Sequence, residues 1–225
     1  MTTFSTETAF TIDTSSIKFG PGIPCEAGYE LSRLGATRGL VVTDPRMAKT
    51  QAVATAIESL KKSGIDHTVF DQVSVEPTDS SLKEAIAFAI EGKFDGFLPV
   101  GGGSCIDTAK ASNLYSTYPA DFLEFVNAPI GKGTPVPGDL KPLVAIPTTA
   151  GTGSETTGVS IFDYEELGSK TGIAHRALRP DVGLVDPENT RSLPKMVAAC
   201  SGFDVLCHGI ESYTALPFSQ REAPP

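Results

Sequence analysis

Tryptophan is absent from this chain of 225 residues, histidine occurs three times and cysteine four. Cys25, Cys105, Cys200 and Cys207 are irregularly spaced and contain no CxxC pair. That argues against a disulfide framework or a zinc ribbon and leaves free, buried thiols as the expectation. Lysine and arginine are nowhere clustered, and 18 of them against 27 acidic residues leave a net charge of −9. Nucleic acid and anionic membrane surfaces are therefore excluded as expected partners, although small anions can still bind through backbone amides. Long apolar runs are also missing. GFLPVGGG and LVAIP fall far short of the roughly 20 residues that span a bilayer. The N-terminal MTTFSTETAF carries Glu7 and lacks both a basic region and an apolar core, so no secretory signal or arginine-rich transit peptide is expected, and the expected location is cytoplasmic.

What is present is an alternation of short β-rich runs with stretches of helical length, starting at about residue 38. This pattern predicts an α/β fold with a parallel sheet. Strands are expected at Gly39 to Thr43, His67 to Phe70, Gly96 to Val100, Leu143 to Ile146 and Gly183 to Asp186. The intervening helices are Gln51 to Lys62, closed by Gly64; Leu82 to Glu91, apolar at 82, 85, 86, 89 and 90; and Ser104 towards Tyr115. Gly158 to Phe162 and Lys170 to Ala174 read as a hairpin, and the Gly- and Pro-rich stretch from Asn127 to Pro142 as an ordered surface loop or hairpin. From about Leu193 a helix begins without a partnering strand. The expected division is an α/β nucleotide-binding domain over 1–190 and the opening of an all-helical metal-binding domain over 191–225.

Three features carry chemistry. A strand followed by Gly101, Gly102, Gly103 and Ser104 and then a helix is a phosphate-binding arrangement, because glycines admit an anion close to the backbone and the first amides of a helix point at it. Ser104 and Asp107 form an S-x-x-D pattern expected to cap that helix. A tight turn without a ligand is the alternative, and the G-x-G-x-x-G fingerprint is not matched. A second polar turn, Thr148, Thr149, Gly151, Thr152, Gly153 and Ser154, follows another buried strand, and ligands of doubly wound sheets lie at such carboxyl ends. Asp44 ends the first strand. It is either a helix N-cap ahead of Pro45 or an acceptor for the two hydroxyls of an adenosine ribose; the second role favours NAD over NADP, a preference that Arg46 weakens. Asp204 and His208, four apart in the helical run SGFDVLCHGIESY, project a carboxylate and an imidazole from one face, either as two metal ligands or as a buried polar contact.

VGGGSCIDTAKASNLY, IPTTAGTGSETT and GFDVLCHGIESY, in this order and spacing, resemble the iron-containing (metal-dependent) alcohol dehydrogenases with the dehydroquinate-synthase-like fold, over about Ser16 to Tyr213. Within that family LEFVNAPIGKG, EPTDSS and TTGVSIFDYE are most similar to hydroxyacid-oxoacid transhydrogenases, which use held NAD to pass a hydride from 4-hydroxybutyrate to 2-oxoglutarate. The resemblance implies that Asp44 contacts the adenine ribose, that Gly101 to Ser104 hold the pyrophosphate, that Thr148, Thr149 and Thr152 meet the nicotinamide end, and that Lys170 lies near the nicotinamide ribose. Lys170 otherwise reads as a solvated hairpin lysine. It also implies that Asp204 and His208 are the first two metal ligands, with two further histidines beyond Pro225, and it makes a homodimer an expectation.

The chain does not complete the metal site by itself. His67 and His175 sit in β regions, Cys200 is about 12 Å from His208 along a helix axis, and Cys207 points about 100° away from it. Glu211, about 10 Å from Asp204, suits orienting His208 better than ligation. Carboxylate and imidazole donors suit Fe(II), Zn or Mn, with Fe(II) or Zn expected, and the implied chemistry is Lewis-acid hydride transfer on a small hydroxyacid, oxoacid or alcohol. Two readings stand: a transhydrogenase or NAD-dependent alcohol dehydrogenase of which this is one portion, inactive alone, and a non-catalytic nucleotide-binding module.

Overall fold

The computed structural model describes residues 12–217 and 220. The expectations attached to MTTFSTETAF and to the last five residues lie outside the described residues. Six strands, β1 (Ser16–Phe19), β2 (Arg38–Val42), β3 (Asp66–Phe70), β4 (Gly96–Gly101), β5 (Val144–Pro147) and β8 (Val182–Val185), form one sheet in the order β1-β8-β5-β4-β2-β3. Every pairing in it is parallel. β6 (Val159–Tyr164) and β7 (Ser169–Ala174) form a separate antiparallel hairpin. The helices are α1 (Ala27–Arg33), α2 (Gln51–Lys62), α3 (Asp79–Gly92), α4 (Gly103–Thr117) and α5 (Lys195–Thr214).

Strand periodicity sorts the core into two layers. Val41, Leu98 and Val100 face Ala27 and Leu31 of α1 and Val53, Ala56 and Leu60 of α2. Leu40, Val42 and Phe97 face Ala85 and Ala89 of α3 and Ile106 and Ala109 of α4. Alternate residues of one strand point to opposite faces, so a sheet covered on both sides needs strands apolar at both parities. The chain leaves β2 for α2 on one face and leaves β4 for α4 on the other, so the neighbouring carboxyl ends of β2 and β4 border a crevice where the winding reverses.

Local chemistry fixes the helix starts. The EPTDSS turn becomes a capping box: the Thr78 hydroxyl accepts from the Ser81 amide at 3.2 Å, and the Ser81 hydroxyl accepts from the Thr78 amide at 2.9 Å. At the crossing of α1 and α2 the Gly28 amide donates to Ser59 Oγ at 2.9 Å, and a Cβ on Gly28 would lie 2.2 Å from the Ser59 carbonyl oxygen. The stretch from Asn127 to Pro142 is an ordered loop without strands, tied to β7 where the Asn127 amide donates to the Gly172 carbonyl at 2.9 Å.

Two elements, β1 and α1, have no counterpart in the sequence reading. β1 is four residues long with no side chain fully buried, and α1 spans only two turns behind a Gly- and Pro-rich segment, so neither produces a periodic signal. The cysteine expectation also needs correction. Cys105 is buried, but Cys25, Cys200 and Cys207 are exposed, the last two because α5 has no buried residue among those described.

Candidate functional site

The glycine loop lies at the carboxyl end of β4, where close packing requires its lack of side chains. A Cβ on Gly101 would sit 2.4 Å from Cys105 Sγ, and one on Gly103 would sit 2.9 Å from Thr152 Cγ2 and 3.2 Å from Ser154 Oγ. Gly102 borders Thr149, whose Cγ2 would be 3.4 Å away. The two polar loops therefore interlock, and the Thr148 amide joins them by donating to the Gly101 carbonyl at 3.0 Å. α4 starts at this contact, and the Gly103 and Ser104 amides that open it have no intrahelical acceptor, whereas the Cys105 amide donates to the Gly102 carbonyl at 3.0 Å.

The expected Ser104–Asp107 cap is not formed. The helix begins one residue earlier with Gly102 as N-cap and no capping side chain, which moves Ser104 inside the first turn; its hydroxyl accepts from the Glu76 amide at 3.3 Å. Asp107 turns inward instead. Its Oδ2 accepts from the Ile161 amide at 3.0 Å and its carbonyl accepts from Ser160 Oγ at 2.9 Å. Burial raises its pKa, and the neighbouring Lys110 charge works against that rise.

Lys110, next to the residues that line the site rather than among them, is the buried charge that the sequence reading did not single out. Its side chain is wholly buried, and its ammonium donates to the Val159 carbonyl at 2.8 Å and to Thr157 Oγ1 at 3.2 Å. Asp107 Oδ1 faces it at 3.7 Å, beyond hydrogen-bond length. Desolvation pulls the Lys110 pKa down to about 8. The signal available beforehand was a lysine in DTAKASNLY, a helix buried on every side from Cys105 to Tyr115, where an ionised group must find partners.

Asp44 closes the turn after β2 and is not a helix N-cap, since Arg46 and Thr50 hold the N-cap positions of the helical segments that follow. Its Oδ1 accepts from the amides of Arg46 and Met47 at 2.8 and 3.0 Å, while Oδ2 lies 3.8 Å from Cys105 Sγ. That thiol is buried against the carboxylate, and both effects raise its pKa, desolvation more than charge. Thr148 is 3% exposed, and its hydroxyl points at the Met47 sulfur 3.9 Å away.

A cleft of about 490 Å³ gathers much of the rest: Gly103, Ser104, Asp107, Thr152, Lys170, Asp204 and His208 all line it. Asp44, Gly101, Gly102, Thr148 and Thr149 do not line it; they lie at or just beyond the carboxyl ends of β2, β4 and β5. Lys170 remains half exposed, 3.8 Å from Asp163 across the hairpin. Asp204 Oδ1 and His208 Nε2 are 3.8 Å apart with side chains 40% and 51% exposed, as the spacing of four on α5 requires. α5 approaches the second loop at Gly151, where a Cβ would meet Ser201 backbone atoms at 2.9 Å, one turn before Asp204.

The donor types fit the two groups unequally. The glycine cradle and first-turn amides suit a pyrophosphate. Asp204 and His208 supply an oxygen and a nitrogen suited to a divalent metal, but among the described residues no three His, Cys, Asp or Glu side chains converge on one point. His67 and His175 make local contacts instead, with the Ile65 carbonyl and the Ala177 amide respectively. Glu211 is exposed and makes no side-chain hydrogen bond to His208.

Residues 14–187 match the family model described as iron-containing alcohol dehydrogenase. A relative named hydroxyacid-oxoacid transhydrogenase, mitochondrial, from Bos taurus is 56% identical over 98% of this chain and 48% of its own length. The Homo sapiens protein of the same name is 53% identical with the same coverage. Among solved structures, an iron-containing alcohol dehydrogenase from Thermococcus thioreducens superposes with a TM-score of 0.83 at 33% identity, over 93% of this chain and 56% of that one. Sulfoacetaldehyde reductase from Bifidobacterium kashiwanohense in complex with NAD+ gives 0.81 at 29% identity, over 91% and 53%. The chain spans about half the length of the curated relatives it matches. The cytoplasmic expectation is overturned by these relatives, which carry mitochondrial in their names. Net charge and absent apolar runs describe a fold's surface, whereas a cellular address is a separate receptor-read signal.

Proposed function

The chain belongs to the iron-containing alcohol dehydrogenase family, and from that premise we propose that it is the nucleotide-binding part of a hydroxyacid-oxoacid transhydrogenase that carries the first two metal ligands. Residues 1–190 bind NAD and residues 191–225 open the metal-binding domain. The observation that carries this reading is the single cleft whose wall includes Gly103 and Ser104 of the glycine loop together with the Asp204–His208 pair.

Gly101, Gly102, Gly103 and Ser104 hold the pyrophosphate through backbone amides. Asp44 offers Oδ2 to the adenine ribose beside the Cys105 thiol, its Oδ1 being taken by the Arg46 and Met47 amides. Thr148, Thr149 and Thr152 border the nicotinamide end. Lys170, the one Lys or Arg lining the cleft among the described residues, lies near the nicotinamide ribose. Asp204 and His208 hold the metal, Fe(II) in this reading, together with donors the described residues do not contain. When bound, the nicotinamide supplies hydride chemistry and the metal supplies Lewis acidity towards an alcohol or carbonyl oxygen. This chain's residues orient the two groups towards each other across the cleft. The location proposed, on the relatives' names, is mitochondrial.

The full-length protein, incubated with 4-hydroxybutyrate and 2-oxoglutarate without added NAD, is expected to form succinic semialdehyde and 2-hydroxyglutarate. Turnover that strictly requires free NAD would favour the alcohol dehydrogenase alternative and sink the transhydrogenase reading.

A further inference from the structure

Four polar ties join α4 to the hairpin strand β6 and the residue leading into it, and all of them originate at two residues one helical turn apart. Lys110 Nζ donates to Thr157 Oγ1 and to the Val159 carbonyl. Asp107 accepts from the Ile161 amide through its carboxylate and from Ser160 Oγ through its carbonyl. Asp107, Thr157, Val159 and Ile161 are also lining residues of the cleft, and Lys170 stands on β7, with Asp163 of β6 as its register partner. The glycine loop runs into the first turn of the same helix, so these ties link the hairpin to the helix that carries the loop.

We propose that Lys110 and Asp107 are a positioning pair that sets the width of the cleft by holding the β6–β7 hairpin, and with it Lys170, against the helix that bears the glycine loop. Neither residue has to touch substrate to do this. A buried ammonium is costly to maintain, and its pKa of about 8 records that cost. Apolar residues of similar size would hold two elements together without the penalty, whereas a charged pair fixes direction and spacing as well. The titratable groups facing Lys110 are Asp107 from its own helix and Glu155 from the segment before β6; its other partners, Thr157 and Val159, are neutral.

The inference rests on the nicotinamide dinucleotide reading of the cleft, so the test has two independent readouts on the full-length protein: amide hydrogen exchange and NADH fluorescence titration. Lys110→Met leaves a buried carboxylate unpaired and risks misfolding, so Asp107→Asn/Lys110→Met, which removes both charges, is measured beside it. In the double variant the melting temperature is expected to stay within a few degrees of wild type. Hairpin amides, Ile161 foremost, are expected to exchange at least tenfold faster while β2 and β4 keep their protection, and the NADH Kd is expected to rise about tenfold. The wild-type NADH Kd is expected to be flat from pH 6 to 7.5 and to weaken above about pH 8, and the double variant is expected to show no such break. Unchanged hairpin exchange would overturn the proposal, as would faster exchange with unaltered NADH affinity, or a wild-type profile flat through pH 9.5. If the wild-type protein fails to bind NADH at all, the dinucleotide reading falls, and the exchange data alone then decide whether the pair holds the hairpin.

Discussion

Burial takes the Lys110 ammonium out of water, and that single change gives it a pH dependence no exposed lysine of this chain would have. Its folded pKa of about 8 lies below the ordinary 10.5. Below pH 8 both folded and unfolded chains carry the proton, and the folded state bears the full cost of a buried charge. Between pH 8 and 10.5 the unfolded chain still binds the proton while the folded chain has released it, so this residue's contribution to stability rises with pH. The shift corresponds to about 3 kcal/mol at 1.36 kcal/mol per pH unit. Denaturant unfolding of wild type and Asp107→Asn/Lys110→Met at pH 7.5 and 10.5 is expected to show the difference moving in favour of wild type by up to that amount. A difference independent of pH would mean that the lysine is not titrating where its burial requires.

At the scale of elements, the contact between the second polar loop and α5 decides whether the proposed cofactor cradle and the proposed metal ligands face one cleft. Gly151 permits the approach, because any side chain there would enter the Ser201 backbone. Gly151→Val is expected to push α5 outward and carry Asp204 and His208 with it. Since the glycine loop stays on β4 and α4, the variant should lose at least tenfold in metal affinity with NADH affinity changed less than threefold. Metal analysis after dialysis, set beside a fluorescence titration, separates the two effects. Equal losses in both would show that α5 also shapes the nucleotide cradle. How far each element could be read beforehand follows its packing. α2 begins and ends where its apolar spacing and Gly64 place it, because one face is buried and the other is wet. α4 was legible only through its glycines, since a helix buried all round has no periodic face. Its capping pattern misled for a related reason: Asp107 found better partners in β6 than in its own first turn.

Over the whole molecule, the proposed nucleotide contacts come from loops of the parallel sheet, while the two proposed metal donors stand on a helix that follows it. Binding of the two groups is therefore expected to separate. Chelation of the metal from the full-length protein should abolish turnover and leave NADH affinity within about threefold of its original value, as measured by fluorescence before and after treatment and again after Fe(II) is restored. Failure of NADH to bind to the metal-free protein would place the ion in the nucleotide site as well.

The sequence by itself determined the alternation of strands and helices, the glycine turn after β4, the hairpin and the Asp204–His208 pairing on one helical face. Each is a local consequence of side-chain period, backbone freedom or spacing, and survives without knowledge of what packs against it. Only the tertiary structure decided which of these features meet. It brought Gly103 against Thr152, placed Ser201 on Gly151, freed Asp107 from its cap, and buried Lys110 between α4 and β6. Such contacts join residues some 50 positions apart, and their energy depends on desolvation and close approach, which no stretch of sequence expresses on its own.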